Sequence, residues 1–139
     1  MLTKRYAQIN FITAVGGTST TGLIKLAPGA YYLYFIGTQA AETTDPTIQF
    51  NAVTNEALTA VTPLACGLST DATLAAATDL ELAQTALYGI IGNQPVATMP
   101  GGSGPVLLPY GAIQFVYTKN GGTLVDLTLV AVPADPASL

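Results

Sequence analysis

Residues 111–132 read GAIQFVYTKNGGTLVDLTLVAV, two runs of alternating side chains separated by Asn120-Gly121-Gly122. In the first run Ile113, Phe115 and Tyr117 alternate with Ala112, Gln114, Val116 and Thr118. In the second, Val125, Leu127, Leu129 and Ala131 alternate with Leu124, Asp126, Thr128, Val130 and Val132. A period of two over β-branched and aromatic residues marks strands with one face more deeply buried. The side chains also argue for a turn length. A two-residue loop at Asn120-Gly121 sets Phe115 opposite Asp126 on one face, which buries a carboxylate against a ring. A three-residue loop ending at Gly122 pairs Phe115 with Leu127 and Tyr117 with Val125. The expectation is a hairpin with a glycine in the left-handed conformation, since a one-residue slip turns every apolar side chain to the wrong face.

Working outward, the same alternation recurs along the chain. Residues 7–15 place Ile9, Phe11, Thr13 and Val15 on one face, and residues 22–26 place Ile24 and Leu26 inward with Lys25 outward. Pro28-Gly29 is a strong turn dipeptide, because proline presets φ and glycine accepts a positive φ. Residues 30–38, AYYLYFIGT, are apolar on both faces: Tyr31, Leu33 and Phe35 on one, Tyr32, Tyr34 and Ile36 on the other. A strand like this is covered from both sides. One face meets the core, and the other needs a cover that so short a chain struggles to supply. Tyrosine is enriched where a surface becomes buried at an interface, which makes Tyr32, Tyr34 and Ile36 the candidate subunit interface. Packing under a neighbouring loop is the plainer reading of the same residues.

Residues 47–53 continue with Ile48, Phe50 and Ala52 inward, and residues 54–68 weaken into an irregular passage or short edge strands, with Val61, Leu64 and Cys66 as scattered core candidates. Over 71–88 helix and strand compete. Alanine and leucine favour a helix capped by Ser69 or Asp71, whereas recurring threonines and the alternation Asp79-Leu80-Glu81-Leu82 favour strand. Residues 87–91 suit a short strand. Residues 92–105, GNQPVATMPGGSGP, form a long aperiodic loop of the kind that often binds something. Tyr88 and Tyr110 border that loop and are candidate loop contacts. There is also an internal echo: LIKLAPGAYYLYF (23–35) and PVLLPYGAIQFVY (105–117) both set a proline shortly before Gly-Ala and an apolar strand. One echo is not a repeat architecture, and it suits two similarly built corners of one sandwich.

The chain has 139 residues and 14.2 kDa, the size of a single domain. The reading is one all-β domain over 1–139, a β-sandwich of jelly-roll type with about eight strands, a short lead at 1–6 and a tail at 133–139. Charged residues are 9% of the chain and hydrophobic residues 50%; ordinary soluble domains carry about 25% charged residues. A chain so poor in charge is expected to hide much of its outside against copies of itself or a partner.

Net charge is −4, and the only cations are Lys4, Arg5, Lys25 and Lys119, too few and too scattered to neutralise phosphates. No nucleic-acid partner is expected. No apolar run approaches the roughly 20 residues of a membrane span, so no membrane partner is expected either. Gln8, Asn10 and Thr13 interrupt what a signal peptide keeps continuous. The single cysteine, Cys66, allows no internal disulfide, and folding in a cytoplasm is the expectation.

Catalytic machinery is hard to assemble from these residues. There is no histidine, the commonest general base and metal ligand. Cys66 lacks an imidazole partner and reads as a small buried hydrophobe. Asp79 and Glu81 share a face if they sit on a strand, which is the arrangement of a glycosidase pair and equally of a solvated face. No DxDxDG-like calcium loop or phosphate loop is present. No catalytic, cofactor or metal residues are assigned, and no cofactor is expected. A carbohydrate-binding sandwich, stacking sugars on tyrosines, is the alternative function.

Loops such as VGGTSTTG and ATMPGGSGP between strands such as LIKLAPGAYYLYFIGT and GAIQFVYTK, in a chain rich in Ala, Thr and Gly and nearly free of charge, resemble virion structural proteins of tailed phages. In particular the whole chain is similar in style to the small capsid decoration, or cement, proteins. That resemblance implies a small β-sandwich that sits as a homotrimer on the capsid surface, binds the major capsid protein and reinforces the shell without catalysis. It also implies that residues 1–6 or 92–105 reach onto the shell. Head-fibre and tail positions are compatible with the same sequence.

Overall fold

The computed structural model describes residues 7–14, 19–40, 44–68, 74–80, 86–92, 104–119 and 125–134. Eleven strands run through them: β1 (Ala7–Ala14), β2 (Thr20–Lys25), β3 (Gly29–Gln39), β4 (Thr47–Val53), β5 (Val61–Leu64), β6 (Cys66–Leu68), β7 (Ala77–Asp79), β8 (Leu87–Ile91), β9 (Val106–Leu108), β10 (Ala112–Thr118) and β11 (Val125–Pro133). One sheet, A, has the order β1-β11-β3-β8-β6 with β9 also beside β3; the other, B, has the order β2-β10-β4-β5 with β7 also beside β4. Every pairing between these strands is antiparallel. The protein is an all-β, two-sheet sandwich.

Between the sheets lies one apolar core. Leu33 and Phe35 of β3, Ile48 and Phe50 of β4, Ile113 and Phe115 of β10, and Leu127 and Leu129 of β11 are buried in it. Four phenylalanines join the layers. Phe50 from sheet B meets Phe35 and Phe11 from sheet A at centroid distances of 5.6 Å each, and Phe11 meets Phe115 at 4.9 Å. Such tilted and edge-on rings add to what area burial alone supplies.

The 111–132 stretch corrects the hairpin expectation. Its alternation holds, with Ile113, Phe115, Tyr117, Val125, Leu127 and Leu129 all buried. Its pairing does not. β10 lies between β2 and β4, so Phe115 stands opposite Gly22 and Phe50. β11 lies between β1 and β3, so Leu127 stands opposite Ile12 and Gly37. The two arms belong to different sheets and meet face to face across the core, not edge to edge. Alternation reports which side of a strand is buried; it carries no information about the neighbouring strand. The turn residues 120–124 lie outside the described residues.

The internal echo does mark two corners, and they touch. Lys25 pairs with Ala112, the Leu26 N–H donates to the Gly111 carbonyl at 2.5 Å, and Gly29 pairs with Leu108. The β2–β3 and β9–β10 segments thus stay in one register while both bend from one sheet to the other. Gly111 has φ +65°, and a Cβ there would stand 2.4 Å from the Leu26 carbonyl oxygen. Only glycine suits that crossing.

Four further expectations are settled or revised. In β1 the register slips between Asn10 and Ile12, a bulge that puts both Phe11 and Ile12 against the core and leaves Thr13 opposite Asp126. A helix over 71–88 does not form in the described part. Cys66 bridges Ala75, β7 occupies 77–79 and β8 starts at Leu87, so tertiary pairing overrides alanine's propensity. Val61 is an exposed edge residue, whereas Leu64 and Cys66 are buried. Pro133, assigned to the tail by sequence, ends β11 opposite Tyr31.

Candidate interaction surface

The pleat sends alternate residues of β3 to the outside of sheet A, and the ladder registers say what joins them there. Tyr34 stands between Val130 of β11 and Ile90 of β8. One row along, Ile36 stands between Thr128 and Tyr88, and in the other direction Tyr32 stands beside Val132. Beyond Tyr32, Ala30 pairs with Leu107 of β9. These residues cover the middle of the outer face along about 20 Å of strand.

Four of the seven exposed large apolar side chains among the described residues lie on this face. Tyr32 is 49% exposed, Tyr88 41%, Ile36 37% and Leu107 64%. Tyr34 is half-buried, its ring 5.4 Å from that of Tyr88 at 43°. Together they leave aromatic and aliphatic side chain open to solvent on one sheet face, and exposed apolar patches of this kind are often functional. The β1 side of the same face is polar. There the Asn10 side-chain amide donates to the Asp126 carboxylate at 2.5 Å, with Gln8 exposed beside it. An apolar centre with a polar border is the anatomy of a protein interface.

The outside of sheet B is built differently. Gln49 Nε2 donates to Asn51 Oδ1 and Asn51 Nδ2 donates to Gln114 Oε1, both at 2.7 Å, so three amides form a ladder across β4 and β10. Leu23 and Lys25 of β2 are exposed on this side. At the open side of the sandwich, edge strands β1 and β2 border a groove of about 420 Å³ lined by Ile9, Phe11, Ile24 and Phe115.

The residues singled out from sequence fall into two places. Tyr32, Tyr34 and Ile36 share the outer face of sheet A, and Tyr88, chosen as a neighbour of the 92–105 loop, is on that same face. Tyr110 is exposed in the turn between β9 and β10, apart from it. Leu107 was not singled out. Its alternation with buried Val106 and Leu108 is legible, but its place beside Ala30 depends on a pairing between distant segments.

Nothing in the described residues assembles a reaction site. Cys66 is buried, and its carbonyl accepts a hydrogen bond from the Thr78 hydroxyl. Asp79 is exposed at the end of β7, while Glu81 and most of the 92–105 loop lie outside the described residues. Among the described residues no three His, Cys, Asp or Glu side chains are grouped to hold a metal.

The fold and surface define a class, a small two-sheet sandwich with one tyrosine-rich outer face. Comparison with known proteins gives the following. No protein-family model and no curated protein matches the chain. Among solved structures it is similar to the SPBc2 prophage-derived protein YomS, with a TM-score of 0.53 and 13% identity over 95% of this chain and 96% of that one. At that identity the likeness is one of fold. The enzymatically active domain of tailspike protein 4 of bacteriophage CBA120 aligns over 91% of this chain and 19% of its own, with a TM-score of 0.35 and 12% identity. So low a score carries no argument about activity.

Proposed function

We propose that this chain is a non-enzymatic structural component of a phage virion: a capsid decoration protein that works as a homotrimer and binds the major capsid protein on the outside of the shell. The observation that carries the reading is the open tyrosine and aliphatic face of sheet A on a chain with only 9% charged residues. Burial of such a face against protein supplies binding free energy without chemistry, at about 25 cal/mol per Å² of apolar area. The phage setting is supported by the likeness in fold, end to end, to a prophage-derived protein. We also read the winding as a jelly roll, because β1 to β4 alternate between the sheets and pair with β11, β10 and β9 on the return.

The test is native mass by size exclusion with light scattering at several concentrations, followed by cosedimentation with empty capsid shells. A concentration-stable species near three times 14.2 kDa that cosediments with shells is the expected result. A protein that never sediments with shells does not decorate them.

A carbohydrate-binding module is the second reading, favoured by the exposure of Tyr32 and Tyr88. It predicts a saturable tyrosine fluorescence change with at least one member of a broad glycan panel. Lack of any such change removes it.

A further inference from the structure

We infer that the outer face of sheet A, centred on Tyr34 and Tyr88 and running through Tyr32 to Leu107, is the surface through which copies of this chain meet. The inference deepens the proposal that the protein works as an oligomer and rests on that part of it.

Three observations favour a second copy as the occupant. The first is charge. The chain carries −4 overall, so two copies repel unless they meet where charge is absent. The rows Val130-Tyr34-Ile90, Thr128-Ile36-Tyr88 and Val132-Tyr32 hold no ionisable group other than tyrosine. Asp126, one row beyond Thr128 and opposite Thr38, is hydrogen-bonded to Asn10. By contrast the outside of sheet B carries Lys25 and Asp79, both exposed.

The second observation is area. A stable interface buries about 800 Å² on each partner, of which an apolar centre is only a part. The four side chains exposed on this face, Tyr32, Ile36, Tyr88 and Leu107, supply such a centre, with Gln8, Asn10 and Thr38 left to form its rim. The third is geometry. Tyr32, Tyr88 and Leu107 project from one sheet surface on three strands, β3, β8 and β9. A broad sheet face is covered by another broad surface, as sheets cover each other within sandwiches.

The test compares the full chain with Tyr32→Asp and Leu107→Asp, both at exposed positions, and with Leu23→Asp on the outside of sheet B as control. Circular dichroism and the urea midpoint confirm that each variant folds. Light scattering over a concentration series then reads the mass. The inference requires a wild-type oligomer, a control with the same mass, and at least a tenfold rise in the dissociation constant for each sheet A variant, the scale of truncating a central interface residue. A wild-type monomer at every concentration overturns it, and so does an oligomer that Tyr32→Asp and Leu107→Asp leave intact. In that last case cosedimentation of wild type with empty shells still stands or falls separately. If instead the variants dissociate and wild type ignores shells, the contact is right and the decoration role is wrong.

Discussion

Gly89 of β8 faces Phe35 of β3 across the ladder, so closely that a Cβ on Gly89 would stand 2.0 Å from the ring. The ring fills the space a side chain would occupy, and Phe35 is fully buried there. The sequence places this glycine in a short strand, and the structure makes it a core packing position.

Gly89→Ala is therefore expected to overpack the core and lower stability by about 1–3 kcal/mol. Urea denaturation reads it as a lower midpoint at unchanged slope. Phe35→Leu in the same chain should recover part of the loss, because contacting residues couple. A double variant that is simply additive would show that the ring and the glycine do not compete for space.

Gly111 and Gly104 offer a contrast within one sequence neighbourhood. Gly111 combines φ +65° with backbone atoms of Leu26 and Pro28 within 3 Å of a Cβ, whereas a Cβ at Gly104 meets nothing within 4 Å. Gly111→Ala should cost about 1–3 kcal/mol or prevent folding, since both the conformation and the crossing are lost. Gly104→Ala should stay within about 0.5 kcal/mol of wild type. Thermal melts of the pair check both.

Phe50 is the ring through which the sheets communicate, fully buried and within 5.6 Å of both Phe11 and Phe35. Phe50→Ala should cost about 3–5 kcal/mol through lost burial and the cavity left behind. Equilibrium unfolding is the measurement. A cost under about 1 kcal/mol would mean that the core collapses around the vacancy, against the dense packing expected of interiors.

Asn55 organises the β4–β5 turn. Its side-chain oxygen accepts from the Thr59 and Ala60 N–H groups at 2.8 and 2.9 Å, and its amide donates to the Thr59 hydroxyl at 2.7 Å. Within that turn Leu58 adopts φ +61°, which is unusual for a branched side chain. Asn55→Ala should destabilise by about 1–2 kcal/mol, with faster hydrogen exchange of the Thr59 and Ala60 amides. Leu58→Gly should relieve the strained conformation and raise the melting temperature slightly.

How much of this was legible depends on the range of the interaction. Ile24, Leu33, Phe35, Ile48, Phe50, Ile113, Phe115 and Leu127 read as inward from alternation alone, and all are buried. Phe11 also reads as inward, but the neighbouring bulge that turns Ile12 inward as well has no sequence mark. Over 71–88, where helix and strand compete in the sequence, the described part is strand, because pairing to β4 and β3 outweighs weak helix propensity. The hairpin expectation failed for a related reason. A short connection and two matched alternations are equally consistent with one sheet turning on itself and with two strands facing each other across a core.

By itself, then, the sequence determined the all-β class and the inward sets of β3, β4, β10 and β11, together with the outward set Tyr32, Tyr34 and Ile36 of β3. Pleating is a property of neighbouring residues along one strand, so a local pattern is enough to read it. Only the tertiary structure decided who stands beside whom: Phe115 beside Phe50 rather than Leu127, and Tyr88 and Leu107 on the same sheet face as Tyr32. Those adjacencies are set by the summed burial of the whole core and by ladder hydrogen bonds between segments tens of residues apart, and no single segment carries their signature.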